Sequence, residues 1–507
     1  MRYFYIFVFI SIVYGIYLFS YHLLHGDLLF HTDIARDFLL IQDIAVNHKL
    51  TLIGPRAGGI PGTFFGPLWL YLMIPAFLIG HGNPITVGYF WLVLALIGLG
   101  ITYYVVNKIF NPIIAICATA LFTYSIIFLA PGFTQSFAPV VLSPLFLYIV
   151  YLFVEKKQIR YLGWSAFLSG ILIQFQPAYG SIMLAITFLI SLFLLVKRKQ
   201  KRFLLLWLIS LLPLSTYILF ELRHNFLETH ALYNFIFHHN TQSYQQVNFA
   251  YLVQNRMEGF FGTVNIINNN TLFYNLFFVF LNLCIVILWI KTKKSGQRTF
   301  ILLIYLYIIG FWLLTFLFQG TVWNYYYLGF IPLVAIALSS LITYLPKFLF
   351  FCLFSLLLVI MIANGYRSVT LWQSHFSGKD TSSWLLNKQV AKYIFQNTHQ
   401  NFGYYVYSPD EFGYSKKYAM SYINLTDNYA EKGYLCTKKP ITYLIYEPTF
   451  SDSHTDPVFW KNVEVNIKTK PVSIKMFHQV RVEKYLLTSR QIKQPSDPTM
   501  ICGLQWR

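Results

Sequence analysis

Runs of about twenty apolar residues recur from the amino terminus to residue 365, and this repetition constrains the fold more than any other feature of the chain. A helix of that length reaches across the roughly 30 Å hydrocarbon core of a bilayer. In that medium every backbone donor and acceptor must be paired within the chain, so helices are the form such runs take. Composition agrees: 56% of the 507 residues are hydrophobic and 11% are charged, against about 25% charged in soluble domains. Twelve segments qualify, near 3–22, 64–80, 85–105, 112–130, 139–154, 163–177, 178–196, 203–221, 272–290, 299–318, 327–345 and 347–365. Segment 64–80 is short and carries Pro67 and Pro75, which suits a re-entrant element. The first run, "YFYIFVFISIVYGIYLFSYHLL", is too long for a signal peptide and no small-residue cleavage site follows, so it reads as a retained helix. The expectation is a mainly α, polytopic membrane protein: 11–13 transmembrane helices over residues 1–365, then an α/β domain over residues 366–507.

Basic residues set the orientation. "KKQIR" at 156–160, "KRKQKR" at 197–202 and "KTKKSGQR" at 291–298 each lie between apolar runs, and short loops rich in Lys and Arg stay in the cytoplasm. Counting outward places the first outer loop (23–64), the second large outer loop (222–271) and the domain 366–507 on the extracytoplasmic side of the plasma membrane. The clusters are topology signals and contribute to the net charge of +19. They call for no nucleic-acid partner.

Acidic residues are scarce and clustered. Residues 1–365 hold eight: Asp27, Asp33, Asp37, Asp43, Glu155, Glu221, Glu228 and Glu258, of which four fall in the first outer loop. Residues 33–45 read as a helix whose apolar stripe (Ile34, Phe38, Ile41, Ala45) would lie on the membrane surface, with Asp33 and Asp37 at i and i+4 on another face. Surface solvation is the expected state of Asp37. The same loop carries Arg36, Lys49 and Arg56 and a glycine- and proline-rich turn from Gly54 to Gly62. A carboxylate beside cations at head-group level suits transfer from a phosphate leaving group: the carboxylate takes a proton from the attacking hydroxyl, and the cations stabilise charge on the phosphate. The bland alternative is a solvated helix whose charges only anchor it. His31 has no companion cluster of His or Cys, so no zinc site is expected. Walker A, GxSxG and Rossmann glycine patterns are absent from the sequence.

One membrane helix, then an outer loop whose acidic residue opens an amphipathic helix, then "GPR…GPLWLYL", resembles the GT-C superfamily of membrane glycosyltransferases. More narrowly it is similar to the bacterial family 39-type enzymes related to protein O-mannosyltransferases and to the lipid A aminoarabinose transferases. "QFQPAYG" at 174–180 and "FELRHNF" at 220–226 extend the resemblance over most of residues 1–365. It implies a GT-C-type bundle that moves a sugar from a polyprenyl-phosphate donor to an acceptor hydroxyl, with inversion. Asp33 would be the catalytic base. Arg56, Lys49 and Arg223 would hold the donor phosphate, with Arg36 ranked below them because it could pair with Asp33 or Asp37 and lower their pKa values. Glu221 and His224 flank Arg223 and would line the pocket, or Glu221 would only hold Arg223 in place; Asp37 and Asp43 are second-tier candidates. Ile34 stands where those enzymes place a second acid, so no metal ligands are assigned, although a divalent cation is compatible with the resemblance. The acceptor would be a glycan, a lipid or a protein.

Residues 366–507 differ in kind. "NKQVAKYIFQNT" (387–398) reads as a helix, and "YYVYS" (404–408), "ITYLIYE" (441–447) and "VEVNIK" (463–468) read as strands. Cys436 and Cys502 would share an oxidising compartment and could form a disulfide. "YSPDEFGYSKKYAM" at 407–420 is turn-rich; Asp410 and Glu411 read as exposed loop charges. Two other function classes fit the same composition: a transporter or flippase of polyprenyl-linked glycans, and a non-catalytic assembly subunit. Transporters place ionisable groups near the midplane and often repeat their halves; the central runs here are nearly uncharged and show no internal repeat.

Overall fold

The computed structural model describes residues 2–237, 249–264, 283, 285–318, 322–342, 345–427, 429–449 and 456–504. Among these, eight helical stretches are long and apolar enough to cross a membrane: Arg2–Leu24 (α1), Pro84–Ile109, Pro112–Leu129, Gln135–Val154, Pro177–Lys197, Ser295–Leu317, Asn324–Leu341 and Lys347–Phe376. A ninth arises if Lys201–Leu211 and Ser215–Arg223, bent by 68° where Pro213 interrupts the helix, form one span. Segment 64–80 contains a helix of only 12 residues, Leu68–Ile79, with Pro75 inside it. The helix expected near 163–177 runs over 16 residues, Arg160–Phe175, and most of 272–290 lies outside the described residues. The chain is a multi-pass membrane protein with a small sheet near its carboxyl terminus.

Contacts divide the chain into two compact units. The first comprises Met1–Phe19, Thr51–Tyr71 and Trp91–Ser368; the second comprises Ser20–Leu50, Leu72–Phe90 and Val369–Arg507. In the first unit, hydroxyl side chains return to the carbonyl one turn back, as Thr119 does to Ala115 (2.8 Å) and Thr123 to Thr119 (2.8 Å), which satisfies polar groups where water is absent. Asn111 caps the helix that starts at Pro112 by accepting the N–H of Ile114 at 3.0 Å.

The second unit holds a five-stranded sheet: β1 (Phe402–Tyr407), β2 (Gly433–Leu435), β3 (Ile441–Tyr446), β4 (Ser473–Phe477) and β5 (Val480–Leu486), ordered β2-β1-β3-β5-β4. β1 pairs in parallel with β2 and β3, and β5 runs antiparallel to β3 and β4. Tyr405, Tyr407, Leu444, Trp460 and Tyr485 form its core. The strand expected at 463–468 does not form. Val465 and Ile467 are buried as strand residues would be, but Val463 and Glu464 belong to the helical turn Trp460–Glu464, Val465 keeps a helical backbone, and Asn466 takes φ 57°. The helix expected at 387–398 is observed at Trp384–Gln396, and Cys436 and Cys502 are joined in a disulfide.

The helix of the first outer loop, Thr32–Ala45 (α2), belongs to this second unit. Its apolar stripe covers protein: Phe38 packs on Phe77 and Tyr418, and Phe30, just before α2, packs on Trp384 and Tyr418. Tyr418 lies on a second helix, Tyr414–Thr426, called α3 here, whose Ser421 accepts a hydrogen bond from Gln42 at 2.9 Å.

Candidate active site

The second unit gathers the acidic cluster. His31 caps α2, its Nδ1 accepting the N–H of Asp33 at 3.1 Å. That leaves the ring proton on Nε2, and burial pushes the imidazole pKa down, so His31 is a neutral donor beside Asp33. Asp33 stands on the first turn with its side chain 59% exposed. Arg36, on the next turn, is nearly buried and bridges two carboxylates: 2.8 Å to Asp33 Oδ1 and 3.0 Å to Asp37 Oδ1. Burial opposes the guanidinium's charge, but Asp37 and Asp33 outweigh it, so Arg36 remains a cation. Asp37 is 4% exposed, contrary to its expected solvation. The face of α2 that carries it is packed on protein, and the resulting desolvation pushes its pKa up to about 6 despite Arg36.

Asp410, expected as an exposed loop charge, is half-buried and accepts the hydroxyl of Thr32, the first residue of α2. Its other oxygen takes the N–H groups of Phe412 (3.0 Å) and Gly413 (3.1 Å). Burial would raise its pKa, but these hydrogen bonds and one from Ser408 hold it below the usual carboxylate value. Glu411 is exposed as expected. Asp43 lies further along α2, accepting from Asn47 at 2.7 Å and forming an ion pair with Lys49 Nζ at 3.5 Å, so Lys49 is partnered within the loop.

The first unit gathers the remaining candidates around a cavity of about 700 Å³, lined by apolar side chains together with Gln176, Tyr217, Glu221, Glu228, Thr229 and Tyr326. Glu221 does not hold Arg223. Its carboxylate accepts the N–H groups of Glu228 and Thr229, both at 2.9 Å, and the Thr229 hydroxyl at 2.6 Å, capping the helix Leu227–Phe237. Arg223 is exposed at the end of Ser215–Arg223, and Leu222 beside it lines the cavity. His224 is stacked on Phe220 with its Nδ1 2.8 Å from the Phe220 carbonyl. Arg56 is exposed in the glycine-rich turn, and Ala57 beside it lines the cavity. Glu228, one of the scarce acids but given no role by the sequence, is 8% exposed and accepts the Phe64 N–H at 2.7 Å. Burial, with Glu221 adding repulsion, pushes its pKa up to about 7. Gln174 and Tyr179 are buried and bonded within the helices, Gln174 to Pro213 and Thr216 and Tyr179 to Ser143. Among the described residues, His, Cys, Asp and Glu form no group of three placed to hold a metal.

The polytopic helical bundle with a small carboxyl-terminal sheet is a fold this chain shares with solved membrane proteins. The chain is similar over 95% of its length to the crystal structure of ArnT from Cupriavidus metallidurans bound to undecaprenyl phosphate, covering 98% of that chain with a TM-score of 0.61 at 10% identity. The apo state of the same protein matches with a TM-score of 0.58 at 10% identity, over 95% of this chain and 97% of that one. No protein-family model and no curated protein matches the sequence.

Proposed function

We propose that this chain is a membrane glycosyltransferase, of the family 39 kind, that moves a sugar from a polyprenyl-phosphate donor to an acceptor hydroxyl on the extracytoplasmic side. The observation that carries the reading is Asp33: an exposed carboxylate with one oxygen fixed by a nearly buried arginine, on a short helix outside the membrane-crossing segments. Among the described residues its Oδ2 takes no hydrogen bond, which leaves it for the proton of an acceptor hydroxyl. As the acceptor hydroxyl oxygen gives up that proton and bonds to the anomeric carbon, the sugar–phosphate bond breaks and the negative charge moves to the polyprenyl phosphate. Within the first unit, Arg56 and Arg223, exposed beside residues that line the cavity, are the cations proposed for a donor phosphate held there. Lys49 ranks below them because it is paired with Asp43. The cavity's apolar walls suit a polyprenyl chain, and ArnT, which shares the fold, was crystallised with undecaprenyl phosphate. The Cys436–Cys502 disulfide suits an oxidising extracytoplasmic compartment.

The test is transfer of radiolabel from undecaprenyl-phosphate-linked sugars to membrane extract by the purified protein in nanodiscs. Transfer from the lipid-linked donor and none from a nucleotide sugar is the expected result. Donor that binds but is carried across the bilayer unreacted would favour a flippase instead.

A further inference from the structure

We infer that Thr32 and Asp410 form a positioning clamp that fixes the first turn of α2 and so sets how Asp33 is presented to the acceptor; the inference rests on Asp33 being the general base. Thr32 immediately precedes Asp33, and a threonine at a helix start ordinarily serves as the cap. Here His31 caps the helix, and the Thr32 hydroxyl is given to Asp410 instead. Asp410 is itself immobilised, because its second oxygen holds the N–H groups of Phe412 and Gly413. Gly413 takes φ 57°, and a Cβ there would come within 2.7 Å of Val406 Cγ1, so this turn admits little variation.

The same α3 helix supports α2 at two further points: Ser421 bonds Gln42, and Tyr418 packs on Phe38. Those contacts lie on the middle of α2. At its amino-terminal end Phe30 packs on Trp384 and Tyr418 and gives its N–H to the Ser382 carbonyl at 2.6 Å. The Thr32–Asp410 bond is the side-chain hydrogen bond that ties the residue next to Asp33 to the loop after β1. A general base displaced by about 1 Å loses up to roughly 100-fold in rate, so one hydrogen bond at this turn has leverage on the chemical step without touching substrate. Asp410 is therefore a positioning residue, carried to α2 by the loop that follows β1.

Thr32→Val, Thr32→Ser, Asp410→Asn and the Thr32→Val/Asp410→Asn pair would be compared in full-length protein in nanodiscs, with radiolabelled undecaprenyl-phosphate sugars as the probe. The clamp requires Thr32→Val to lower kcat by about 10- to 100-fold with the donor KM unchanged. Thr32→Ser should restore it, and the double variant should be no worse than the poorer single one. A Thr32→Val enzyme with wild-type kcat, a loss lying wholly in KM, or losses that multiply in the double variant overturns it. Hydrogen exchange supplies a readout independent of activity: amides of residues 33–38 should exchange about ten-fold faster in Thr32→Val, the equivalent of one hydrogen bond, while those of α3 stay unchanged. Unaltered exchange refutes the clamp whatever the transfer assay gives. A wild type that transfers no sugar refutes the base reading, and exchange alone then decides the clamp.

Discussion

Replacing Glu228 by glutamine is expected to stabilise the protein at alkaline pH and to remove part of its pH dependence. The carboxylate is 8% exposed at the wall of an apolar cavity, where burial and the neighbouring Glu221 move its pKa from 4.5 to about 7. The folded state thus keeps a proton that the unfolded chain gives up. Stability from that proton is complete below about pH 4.5 and is lost as pH rises through about 7. The shift corresponds to about 3 kcal/mol at pH 8. Glutamine is of the same shape, carries no charge to desolvate, and keeps an oxygen for the Phe64 N–H that Glu228 accepts at 2.7 Å. Thermal unfolding in nanodiscs, followed by tryptophan fluorescence from pH 5 to 8, should show Glu228→Gln melting a few degrees above wild type at pH 8, with the gap closing toward pH 5. Parallel pH profiles, or a glutamine variant less stable at pH 8, would refute the desolvation argument and mean that the carboxylate is solvated through the cavity.

Asp27→Ala should cost about 3–5 kcal/mol. This fully buried carboxylate accepts the N–H groups of Leu28 (2.8 Å), Gly378 (3.0 Å) and Leu385 (3.0 Å) and the Ser383 hydroxyl (2.7 Å); alanine would take the acceptor from all four, and only Gly378 would keep another, Ser383 Oγ at 2.9 Å. Urea titration followed by a probe in the second unit reads the loss; a change below about 1 kcal/mol would contradict it. Cys436→Ser should lower the stability of the same unit by about 4 kcal/mol through the 66-residue separation that the disulfide closes. Wild type in reducing agent should match the variant, and a variant as stable as oxidised wild type would count against the bond.

The membrane-crossing architecture was legible because apolar runs of span length have few alternatives, and among the described residues eight of the twelve anticipated segments are span-length helices. The pairing of Arg36 with Asp33 was also readable, since i and i+3 positions meet on a helix, whereas its bond to the adjacent Asp37 does not follow from that spacing. Other features depend on contacts distant in sequence. The apolar stripe of α2 identified a buried face, but not whether lipid or protein covers it. The observed cover of Phe38 is Tyr418 and Phe77, and Asp37 beside it is buried and desolvated. Asp410 meets Thr32 across 378 residues, a separation at which no periodicity operates. Glu221 and Glu228 were visible as two of eight scarce acids, yet nothing local distinguishes a helix cap from a cavity wall. The strand expected at 463–468 is replaced by the end of the helical turn Trp460–Glu464, which Val465 continues, and by Asn466, an asparagine that tolerates the left-handed backbone.

The central claim is that Asp33 takes the acceptor's proton. Its most direct test is single-turnover transfer from a saturating undecaprenyl-phosphate-linked sugar by Asp33→Asn in nanodiscs. Loss of the base should slow the chemical step by about 10²- to 10⁴-fold with donor binding and thermal stability unchanged. A variant that transfers sugar at the wild-type rate would contradict the account and move the base away from Asp33.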